Sequence, residues 1–585
     1  MKPLSPTRHR TRRDKANMLI DNPDTLAVVL AGMAASPVAF DIETTGLNPY
    51  AGDDLLGIAF SDGNRSVYFC PFEHPIDREK MRKYGWKKAL SPIFEHGTYI
   101  GWNSKFDCQF LRKAGIDLSG AAIIDAMLLA HLADENKNSY SLKALSGAAK
   151  GQGDELDAYL KDEADNKRKK ADKGLMWKLH PSIVAPYAEE DVRSTYRLYC
   201  EIVQSLRKDG LISLAQEVCD YARVIEDIES TGLKVNRRKC IEETAKCTER
   251  VEELRQELED LTWPGFNPGS PQQVQKWLGI PSSAKAALEE LNDPRTDLLL
   301  EYRGLSKAVS SFYEAFLRRA DRNGRMHASF RINGTVTGRL SCAEPNLQQL
   351  PRKSAEWHRA RYFVEASRGY KLISADLSQA ELRLMAHYSQ DQFLTQAYCE
   401  DGLDIHQMVA DRLHIDRHAA KTLNFGMCYG AGALKIAQML KISEAAAKDV
   451  LAAHNNLMPG VKRLNYQLVR QAEQQGHIRM WTGRMRRFPK KFGEKDKAYT
   501  AMNNVIQGGV AEIVRVSIQN LSEILPPECR MVCQVHDEIL FECKTEKVAE
   551  TCEVIKRTME DFQFRVPIVA ETKVGRTWGG MVPQG

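Results

Sequence analysis

The sequence predicts a protein that mixes α-helices and β-strands and divides into several domains. Strand-like and helix-like patterns alternate over residues 25–205, whereas residues 206–325 are largely helical. After that region strands and helices alternate again, and a mostly helical block at about 396–500 interrupts them. At 585 residues the chain has room for several hydrophobic cores. We therefore expect an α/β fold of the mixed α+β kind.

Composition limits the class of protein. The formal net charge is only +5, so a cationic surface for a polyanion would have to be local. No apolar run reaches membrane-spanning length, which argues against a membrane protein. The 13 cysteines form no CxxC pair, and Cys529 and Cys533 lack the second pair that a zinc site needs. Scattered cysteines are typical of a reducing compartment, so we expect a cytoplasmic protein.

Two acidic segments, residues 374–381 and 534–538, each set a carboxylate at the end of an apolar run. One run leads as a short strand into Asp376, and the runs on either side of His536 and Asp537 predict two strands joined by a tight turn. Two aspartates on adjacent strands can hold two Mg²⁺ ions, which stabilise an in-line phosphoryl displacement. Either aspartate alone would more simply cap or solvate a turn.

Residues 417–430 predict a helix, because no proline interrupts the segment before its glycines. Four side chains recur at a spacing of four and share one slowly turning face: Arg417, Lys421, Phe425 and Tyr429. The two cations suit the β- and γ-phosphates of a nucleoside triphosphate, and the two aromatic rings suit the flat face of a base pair. The alternative is a surface helix with two solvated cations and two core aromatics.

A second group of acids lies in the first third of the chain. Asp41 and Glu43 follow an apolar strand, and their spacing of two puts both carboxylates on one strand face. Asp107 supplies a further acid. Tyr187 and Asp191 are four residues apart on a predicted helix, so they share a face. A lone Asp-x-Glu pair usually has a structural role. It is the combination of this pair with the other acids and the tyrosine that indicates a functional site.

Three segments resemble motifs A, B and C of the family A DNA polymerases, the bacterial DNA polymerase I type: SADLSQAELRLMAH (374–387), RHAAKTLNFGMCYG (417–430) and CQVHDEIL (533–540). Shorter segments match the family in the same order: FNPGSPQQV (266–274), EYRGLSK (301–307), TGRLS (337–341), PNLQQLP (345–351), GRMRRFP (483–489) and NNVIQGGVAEI (503–513). Any one motif is only a hypothesis, but so many matches in order are not a chance result.

Three earlier segments resemble the DEDDy 3′–5′ exonucleases, with all five positions intact: DIETTG (41–46), NSKFD (103–107) and YAEED (187–191). By that resemblance four carboxylates would hold two metal ions, and Tyr187 would orient the attacking water. These carboxylates are Asp41, Glu43, Asp107 and Asp191. The resemblance thus implies two active sites, each using two Mg²⁺ ions for which Mn²⁺ can substitute.

The polymerase resemblance implies roles for individual residues. Asp376 and Asp537 would be metal ligands for nucleotidyl transfer, and Glu538 would stand in an outer position. Lys421 would be both a nucleotide-binding and a catalytic residue. Glu381 matches the residue that crowds the sugar 2′ position, and Gln379 belongs to the same nucleotide site. Four matches would lie near the primer–template minor groove, where donors sense the geometry of a base pair: Arg339, Asn503, Gln507 and His536.

The chain departs from the family pattern at two positions. Leu377 stands where the family usually has tyrosine, and Gly509 where threonine is common. Neither side chain takes part in catalysis, so we expect polymerase activity to be unaffected. The fidelity of nucleotide selection is the property that these two residues could change.

The resemblance also implies an RNase H-like exonuclease domain followed by a right-hand polymerase. The heptad-like pattern near Cys240–Leu261 agrees with a helical thumb. The charged stretch from Lys150 to Lys173 is interpreted as a solvated helix or loop, with a DNA-contacting excursion as the minority interpretation. The expected domains are a basic disordered tail (1–24), the exonuclease (25–205), the thumb (206–325), the palm in two parts (326–395 and 501–585) and the fingers (396–500).

Two absences shape the expected partners. Only 40 residues precede Asp41, too few for a 5′-nuclease domain, and the thumb has no insertion for a thioredoxin-type processivity factor. By analogy we expect a bacteriophage origin and the host cytoplasm. The expected partners are primer–template DNA, dNTPs and an unidentified replisome protein, with no membrane, for a protein that is itself a monomer.

Two other hypotheses compete with a proofreading DNA polymerase. One is a stand-alone 3′–5′ exonuclease with a non-catalytic DNA-binding C-terminal half, and the intact Asp376, Lys421 and Asp537 argue against it. The other is a single-strand-binding or scaffold protein, which would need neither set of acids. A single-subunit RNA polymerase is disfavoured by Glu381 and by the exonuclease set.

Overall fold

The computed structural model describes residues 18–33, 37–70, 90–147, 154–163, 173–350, 359–400, 404–428, 430–489 and 497–584. The chain divides into two compact units, one ending at Glu226 and the other beginning at Asp227. Each unit combines helices with a main β-sheet, which confirms the predicted mixed fold class.

The first unit is built on a six-stranded sheet with the order β1-β4-β3-β2-β5-β6. Its strands are β1 (Met18–Ile20), β2 (Val38–Thr44), β3 (Leu55–Ser61), β4 (Ser66–Phe69), β5 (Thr98–Gly101) and β6 (Ala122–Asp125). Strand β2 pairs antiparallel with β3 and parallel with β5. It therefore lies inside the sheet, where residues on both of its neighbours hold its register fixed.

In the described residues seven helices accompany this sheet, and apolar residues of the first six pack into one core with the strands. They are α1 (Pro23–Ala31), α2 (Ser104–Lys113), α3 (Ala126–Ala133), α4 (Leu142–Ser146), α5 (Asp154–Glu163), α6 (Pro181–Lys208) and α7 (Ile212–Thr231). A short 3₁₀-helix, Lys173–Lys178, precedes α6. Helix α7 carries the chain from the first unit into the second.

Residues 18–24, expected in the disordered tail, are ordered in part as β1 and the start of α1. Strand β1 extends the sheet by pairing in parallel with β4. The Asn22 side chain caps α1 by accepting hydrogen bonds from the backbone of Asp24 and Thr25, and Pro23 takes the first helical position. The Asn22-Pro23 pair is a helix-start signal in the sequence. It was missed because the basic composition of residues 1–24 led to the prediction of a disordered tail. The rest of the expected tail, residues 1–17, lies outside the described residues.

Two further expectations about the first unit need adjustment. The expected domain end at 205 falls inside α6, which continues to Lys208. In the charged stretch, α5 is not simply solvated, because Leu156 and Leu160 are buried in the core of the unit. Their spacing of four puts both on one face of the helix, so a charged sequence still supplies an apolar contact.

Fifteen helices of the second unit lie in the described residues. They are α8 (Arg237–Asp260), α9 (Pro271–Leu278), α10 (Lys285–Glu290), α11 (Pro294–Ala308), α12 (Glu314–Arg319), α13 (Ala360–Phe363), α14 (Ala380–Ser389), α15 (Gln392–Cys399), α16 (Ile405–Leu413), α17 (Arg417–Cys428), α18 (Ala433–Leu440), α19 (Glu444–Leu457), α20 (Pro459–Gln475), α21 (Ala501–Ile524) and α22 (Val548–Glu560).

A five-stranded sheet with the order β14-β15-β11-β16-β17 forms the centre of this unit. Its strands are β11 (Tyr370–Leu377), β14 (Cys529–Val535), β15 (Glu538–Lys544), β16 (Ala570–Gly575) and β17 (Val582–Pro583). Three small two-stranded sheets use β7 (Leu233–Lys234) with β8 (Arg325–Met326), β9 (Ser329–Arg331) with β10 (Ser341–Ala343), and β12 (His477–Arg479) with β13 (Met485–Arg487).

Several predictions for the second unit are confirmed. Helix α8 buries Cys240, Cys247 and Leu254, the heptad spacing that the sequence indicated. The block at 396–500 is mostly helical, and the structure adds the β12–β13 hairpin to it. Among the described residues, no helix combines the length and the apolar character that crossing a membrane requires.

Candidate active sites

Three carboxylates form a row across the large sheet of the second unit. Asp376 on β11 lies opposite Glu538 on β15 and opposite Glu571 on β16. Directly opposed residues on antiparallel strands point to the same face of a sheet, with Cβ atoms about 5 Å apart. Glu571 was not predicted as a site residue, because its strand carries no recognisable motif. Only the register of the β11–β16 pairing, which the structure reveals, places Glu571 opposite Asp376.

Asp537 lies beside this row in the two-residue turn that joins β14 to β15, as the sequence predicted. Its backbone oxygen accepts a hydrogen bond from the Leu377 N–H at 3.2 Å, which fixes the turn against the end of β11. Asp376 and Asp537 are both half-buried. Both aspartates thus lie at the same end of the sheet, where β11 ends and the β14–β15 turn begins, and both remain partly open to solvent.

Glu538 differs from these two aspartates, because its carboxylate is already occupied by protein groups. It is buried and accepts hydrogen bonds from the Ser374 hydroxyl at 2.6 Å and from the Trp578 indole at 3.1 Å. The Arg361 guanidinium lies 3.7 Å from its other oxygen and 4.2 Å from the Trp578 ring. This environment suits a residue that braces the sheet, and the outer position expected for Glu538 stays a prediction.

His536 occupies the turn in a left-handed conformation with φ of 58°, which is unusual for a residue other than glycine. The Gln534 amide donates a hydrogen bond to the His536 carbonyl, and Gln348 donates one to the Gln534 side chain at 3.2 Å. The His536 side chain itself is exposed. Hydrogen bonds from neighbouring side chains therefore fix the backbone of the turn, while the His536 imidazole is exposed to solvent.

The predicted helix at 417–430 is confirmed as α17, which ends at Cys428. Arg417 and Lys421 are exposed on it, and Arg417 forms an ion pair with Asp404 at 2.7 Å. Phe425 is half-buried, with its ring 5.9 Å from that of His406. Helix α17 packs against α14, which follows β11 directly, so the cationic face lies on an element that adjoins the carboxylate row. Tyr429 lies outside the described residues.

A buried polar network beneath α17 was not found by sequence reasoning. The Asn424 amide group bonds the His406 Nδ1 at 3.0 Å, and its oxygen bonds the His454 Nε2 at 3.2 Å. Burial lowers the pKa of His454 to about 4, so its imidazole is neutral at physiological pH. The network ties α16, α17 and α19 together, and nothing in their sequence spacing reveals it.

The structure pairs two residues that the sequence assigned to separate roles. The Arg339 guanidinium forms an ion pair with the Glu381 carboxylate on α14. Gln379 immediately precedes that helix and accepts a hydrogen bond from the Tyr398 hydroxyl at 2.9 Å. The other two residues predicted near a minor groove, Asn503 and Gln507, lie one turn apart on α21 and are half-buried.

The departures from the family pattern have a structural setting. Leu377 is buried at the end of β11. A Cβ atom at Gly509 would lie 2.4 Å from the Cδ2 of Leu384, which is closer than side-chain atoms approach. Glycine at 509 is thus matched to leucine at 384, and a threonine would force this contact to move.

The five residues predicted for the first unit converge at the middle of its sheet. Asp41 and Glu43 lie two apart on β2, and Asp107 lies in the first turn of α2, where it accepts a hydrogen bond from the Ile42 N–H at 3.3 Å. Tyr187 and Asp191 lie one turn apart on α6, and the Tyr187 hydroxyl bonds the Asp191 carboxylate.

These carboxylates repel one another in a poorly solvated site. Burial raises the pKa of Asp41 well above its usual value, and the charges of Asp107, Glu43 and Asp191 raise it further. Burial also raises the pKa of Glu43 to about 8, with a positive charge from Lys173 acting in the opposite direction. Among the described residues, the Glu43 Oε1 is buried without a hydrogen-bond partner. In such an arrangement the acids outnumber the cationic groups, which favours the binding of a further cation.

These donor sets fit hard divalent cations such as Mg²⁺. Over the ranges that the structure describes, no group of three or more His, Cys, Asp or Glu side chains is placed so that it could hold a metal ion. Mg²⁺ usually binds through one or two carboxylates and takes its other ligands from water and substrate phosphate. Such an ion would give the Glu43 oxygen a partner and would reduce the repulsion among the acids. Asp376 and Asp537 offer the same chemistry with more solvent access.

Comparison with known proteins gives matches over both units. The family model for "DNA polymerase family A" matches residues 237–580, and the model for "3'-5' exonuclease" matches residues 18–207. The chain is 30% identical to the DNA polymerase I of Pseudomonas aeruginosa over 93% of its own length and 63% of that relative. It is 29% identical to the DNA polymerase I of Treponema pallidum over 94% of its length and 61% of that relative.

A solved structure shares the fold of the chain. The POL domain of Pol1 from M. smegmatis, in complex with DNA primer-template and dNTP, superposes with a TM-score of 0.79 at 22% identity. The match covers 96% of this chain and 99% of that one. The chain therefore spans about three fifths of the two curated relatives and nearly all of this solved domain.

Proposed function

Because the chain belongs to DNA polymerase family A, whose model matches more than half of it, we propose that it is a DNA-templated DNA polymerase with a 3′–5′ proofreading exonuclease. One observation carries the proposal: Asp376 and Asp537 lie at the same end of the five-stranded sheet, in the unit matched by the polymerase model. The exonuclease model matches the other unit, which gathers four acids and a tyrosine.

In the polymerase site, the primer 3′ oxygen would attack the α-phosphate of a dNTP and pyrophosphate would leave. Asp376 and Asp537 would hold two Mg²⁺ ions, or Mn²⁺, and these supply charge stabilisation at the attacking and leaving oxygens. Arg417 and Lys421 would bind the β- and γ-phosphates. To do so, Arg417 would exchange its partner Asp404 for phosphate oxygens, which are also anionic.

The remaining nucleotide contacts are proposed from the resemblance of these segments to the polymerase motifs. Phe425 and Tyr429 would stack on the nascent base pair. Glu381 and Gln379 would lie at the sugar, where Glu381 blocks a 2′-hydroxyl. Four residues would donate hydrogen bonds to the minor groove of the primer–template. Asn503 and Gln507 would do so from α21, His536 from the β14–β15 turn, and the fourth is Arg339.

In the exonuclease site, a water molecule would attack the last phosphodiester of a 3′ end, the bond to the 3′ oxygen of the preceding nucleotide would break, and a nucleoside monophosphate would leave. Two Mg²⁺ ions there would polarise the phosphate and activate the water. Four acids would hold them, and Tyr187 would orient the water through its hydroxyl. The acids are Asp41, Glu43, Asp107 and Asp191.

We expect a monomer that works with primer–template DNA and dNTPs, and a cytoplasmic location where these substrates are available. A labelled primer–template with Mg²⁺ tests the proposal. Lengthening of the primer with dNTPs and shortening without them would support it. Shortening without any lengthening would favour a stand-alone exonuclease, and neither activity would favour a DNA-binding protein.

Replacing Glu381 with alanine should admit ribonucleotides about tenfold more readily, because the side chain that would block the 2′-hydroxyl is shortened. The measurement is the ratio of kcat/KM for a ribonucleotide and its matching dNTP. Glu381→Gln is the matched control, since it keeps the side-chain length and a hydrogen bond to Arg339 while removing the charge. Equal selectivity of wild type and the alanine variant would place the sugar gate elsewhere.

Replacing Lys421 with alanine should slow dNTP incorporation about 10²-fold, because a charge at the triphosphate is lost where negative charge develops. Primer–template affinity should change little. Lys448→Ala is a suitable control, since Lys448 is another lysine of the helical block but is paired with Glu444 at 2.9 Å.

Titration of DNA binding against salt completes the Lys421 experiment. Loss of a contact to the duplex would weaken binding and flatten its salt dependence. A clear loss of DNA affinity with normal incorporation at saturating DNA would move Lys421 from the nucleotide to the duplex.

A further inference from the structure

Lys173 lies inside the acid cluster of the first unit, although the sequence placed it in a solvated stretch. It opens the 3₁₀-helix Lys173–Lys178 and is half-buried. Its ammonium group donates a hydrogen bond to the Tyr187 hydroxyl and lies 4.0 Å from the centroid of that ring. A charge-assisted hydrogen bond therefore holds the ammonium at the hydroxyl end of the Tyr187 ring.

The same ammonium faces the acids. Burial has the largest effect on the pKa of Glu43 and raises it. The positive charge of Lys173 has the second largest effect and lowers it. It acts in the same direction on Asp41 and Asp191, whose pKa values are raised by burial. Lys143 also lies over the Tyr187 ring, but it is exposed and 5.7 Å from the ring centroid. Lys173 is thus the inner cation of the cluster and Lys143 lies at its rim.

The contact with Lys173 also directs the Tyr187 hydroxyl. Because the hydroxyl oxygen accepts from the ammonium, its own proton is free to point to another acceptor, and the Asp191 carboxylate takes that bond. Tyr187 and Asp191 share a face of α6, so this chain of hydrogen bonds connects Lys173 to the two residues that α6 contributes. No sequence motif included Lys173.

We propose that Lys173 is a positioning residue of the exonuclease centre, which fixes the Tyr187 hydroxyl and adds a positive charge that acts on Asp41, Glu43 and Asp191. The inference rests on the proposed exonuclease function. Lys173 acts through Tyr187 and the acids, and it needs no contact with DNA. Its loss should therefore lower kcat more than it raises KM.

The first test compares three variants of the full chain on labelled single-stranded DNA with Mg²⁺. Lys173→Met keeps the side-chain length without its charge and should lower kcat about tenfold, with KM nearly unchanged. Lys173→Arg should restore part of the rate. Lys178→Met is the matched control, because Lys178 ends the same 3₁₀-helix with its ammonium 5.7 Å from the Trp177 ring. An unchanged kcat in Lys173→Met would overturn the proposal.

A double-mutant cycle tests the route through tyrosine. In a Tyr187→Phe background, Lys173→Met should lower kcat by less than about threefold, because residues that act through one another are not additive. The full tenfold effect in both backgrounds would show that Lys173 does not work through Tyr187.

Hydrogen exchange of the full chain supplies a measurement that does not depend on activity. With EDTA, Lys173→Met should speed exchange in peptides of β2 and α6 about tenfold, because the acids lose their internal cation. Mg²⁺ should remove most of this difference, since it supplies the missing charge. Unchanged exchange in EDTA, or an increase that persists with Mg²⁺, would contradict the proposal.

The two measurements separate the proposals. Wild-type protein that fails to shorten single strands, but shows the expected exchange pattern, would remove the exonuclease function and keep the charge role of Lys173. Active wild-type protein with no effect of Lys173→Met on kcat or exchange would keep the function and remove the role.

Discussion

Replacement of Asp376 or Asp537 with alanine is expected to lower nucleotide addition by about 10³-fold or more. Each change removes a ligand from the proposed metal pair, whose charge stabilisation is worth several kcal/mol in the transition state. The measurement is single-turnover extension of a labelled primer at saturating dNTP and Mg²⁺. The effect should be a loss of kcat, because the proposed contacts of α17 with the triphosphate would remain.

Exonuclease activity provides the internal control for these variants. The two aspartates belong to the second unit and the exonuclease acids to the first, so shortening of single strands should continue at the wild-type rate. A variant that loses both activities has lost its fold, and it would not count as support. Near-normal extension by either alanine variant would remove the two-metal assignment from this sheet.

The double substitution of Asp41 and Glu43 with alanine is expected to reduce primer shortening by about 10³-fold or more. The two side chains would be ligands on a single strand face, and their loss removes half of the carboxylates of the cluster. Extension should be largely intact, while the error rate rises. The measurements are the loss of label from a 3′ end and the sequence of the extension products.

A milder substitution in the same site gives a graded comparison. Tyr187→Phe removes only an orienting hydroxyl, so shortening should fall by about tenfold and not disappear. Complete loss of activity in this variant would give the tyrosine a larger role than orientation. If wild-type protein shows no shortening of single strands with either Mg²⁺ or Mn²⁺, the exonuclease assignment is wrong.

Local patterns predicted the elements that carry the candidate residues. Short apolar runs indicated β2, β11 and the β14–β15 hairpin, and the proline-free stretch at 417–430 indicated α17. These elements form from interactions between residues that are close in sequence, such as the two-residue turn at His536 and Asp537. Segment order and spacing were also sufficient to indicate the fold class.

Long-range contacts were beyond the reach of the sequence. Trp578 meets Glu538 across 40 positions, Ser374 meets it across 164, and the Arg339–Glu381 pair spans 42. No periodicity encodes such pairs, because strand order and register bring them together. Lys173 illustrates the opposite difficulty. Its neighbours are charged and predict a solvated segment, yet tertiary packing places its ammonium against Tyr187.

A primer–template with a mismatched primer terminus tests most directly the central claim that one chain carries a polymerase site and a proofreading site. It is incubated with Mg²⁺ and all four dNTPs, and the full-length products are sequenced. The account predicts that wild-type products carry the template-matched base at the terminal position, because the mismatched nucleotide is removed before extension. It predicts that the Asp41→Ala, Glu43→Ala double variant stalls or retains the mismatch. Wild-type products that retain the mismatch, or a primer that is shortened but never extended, would contradict the account.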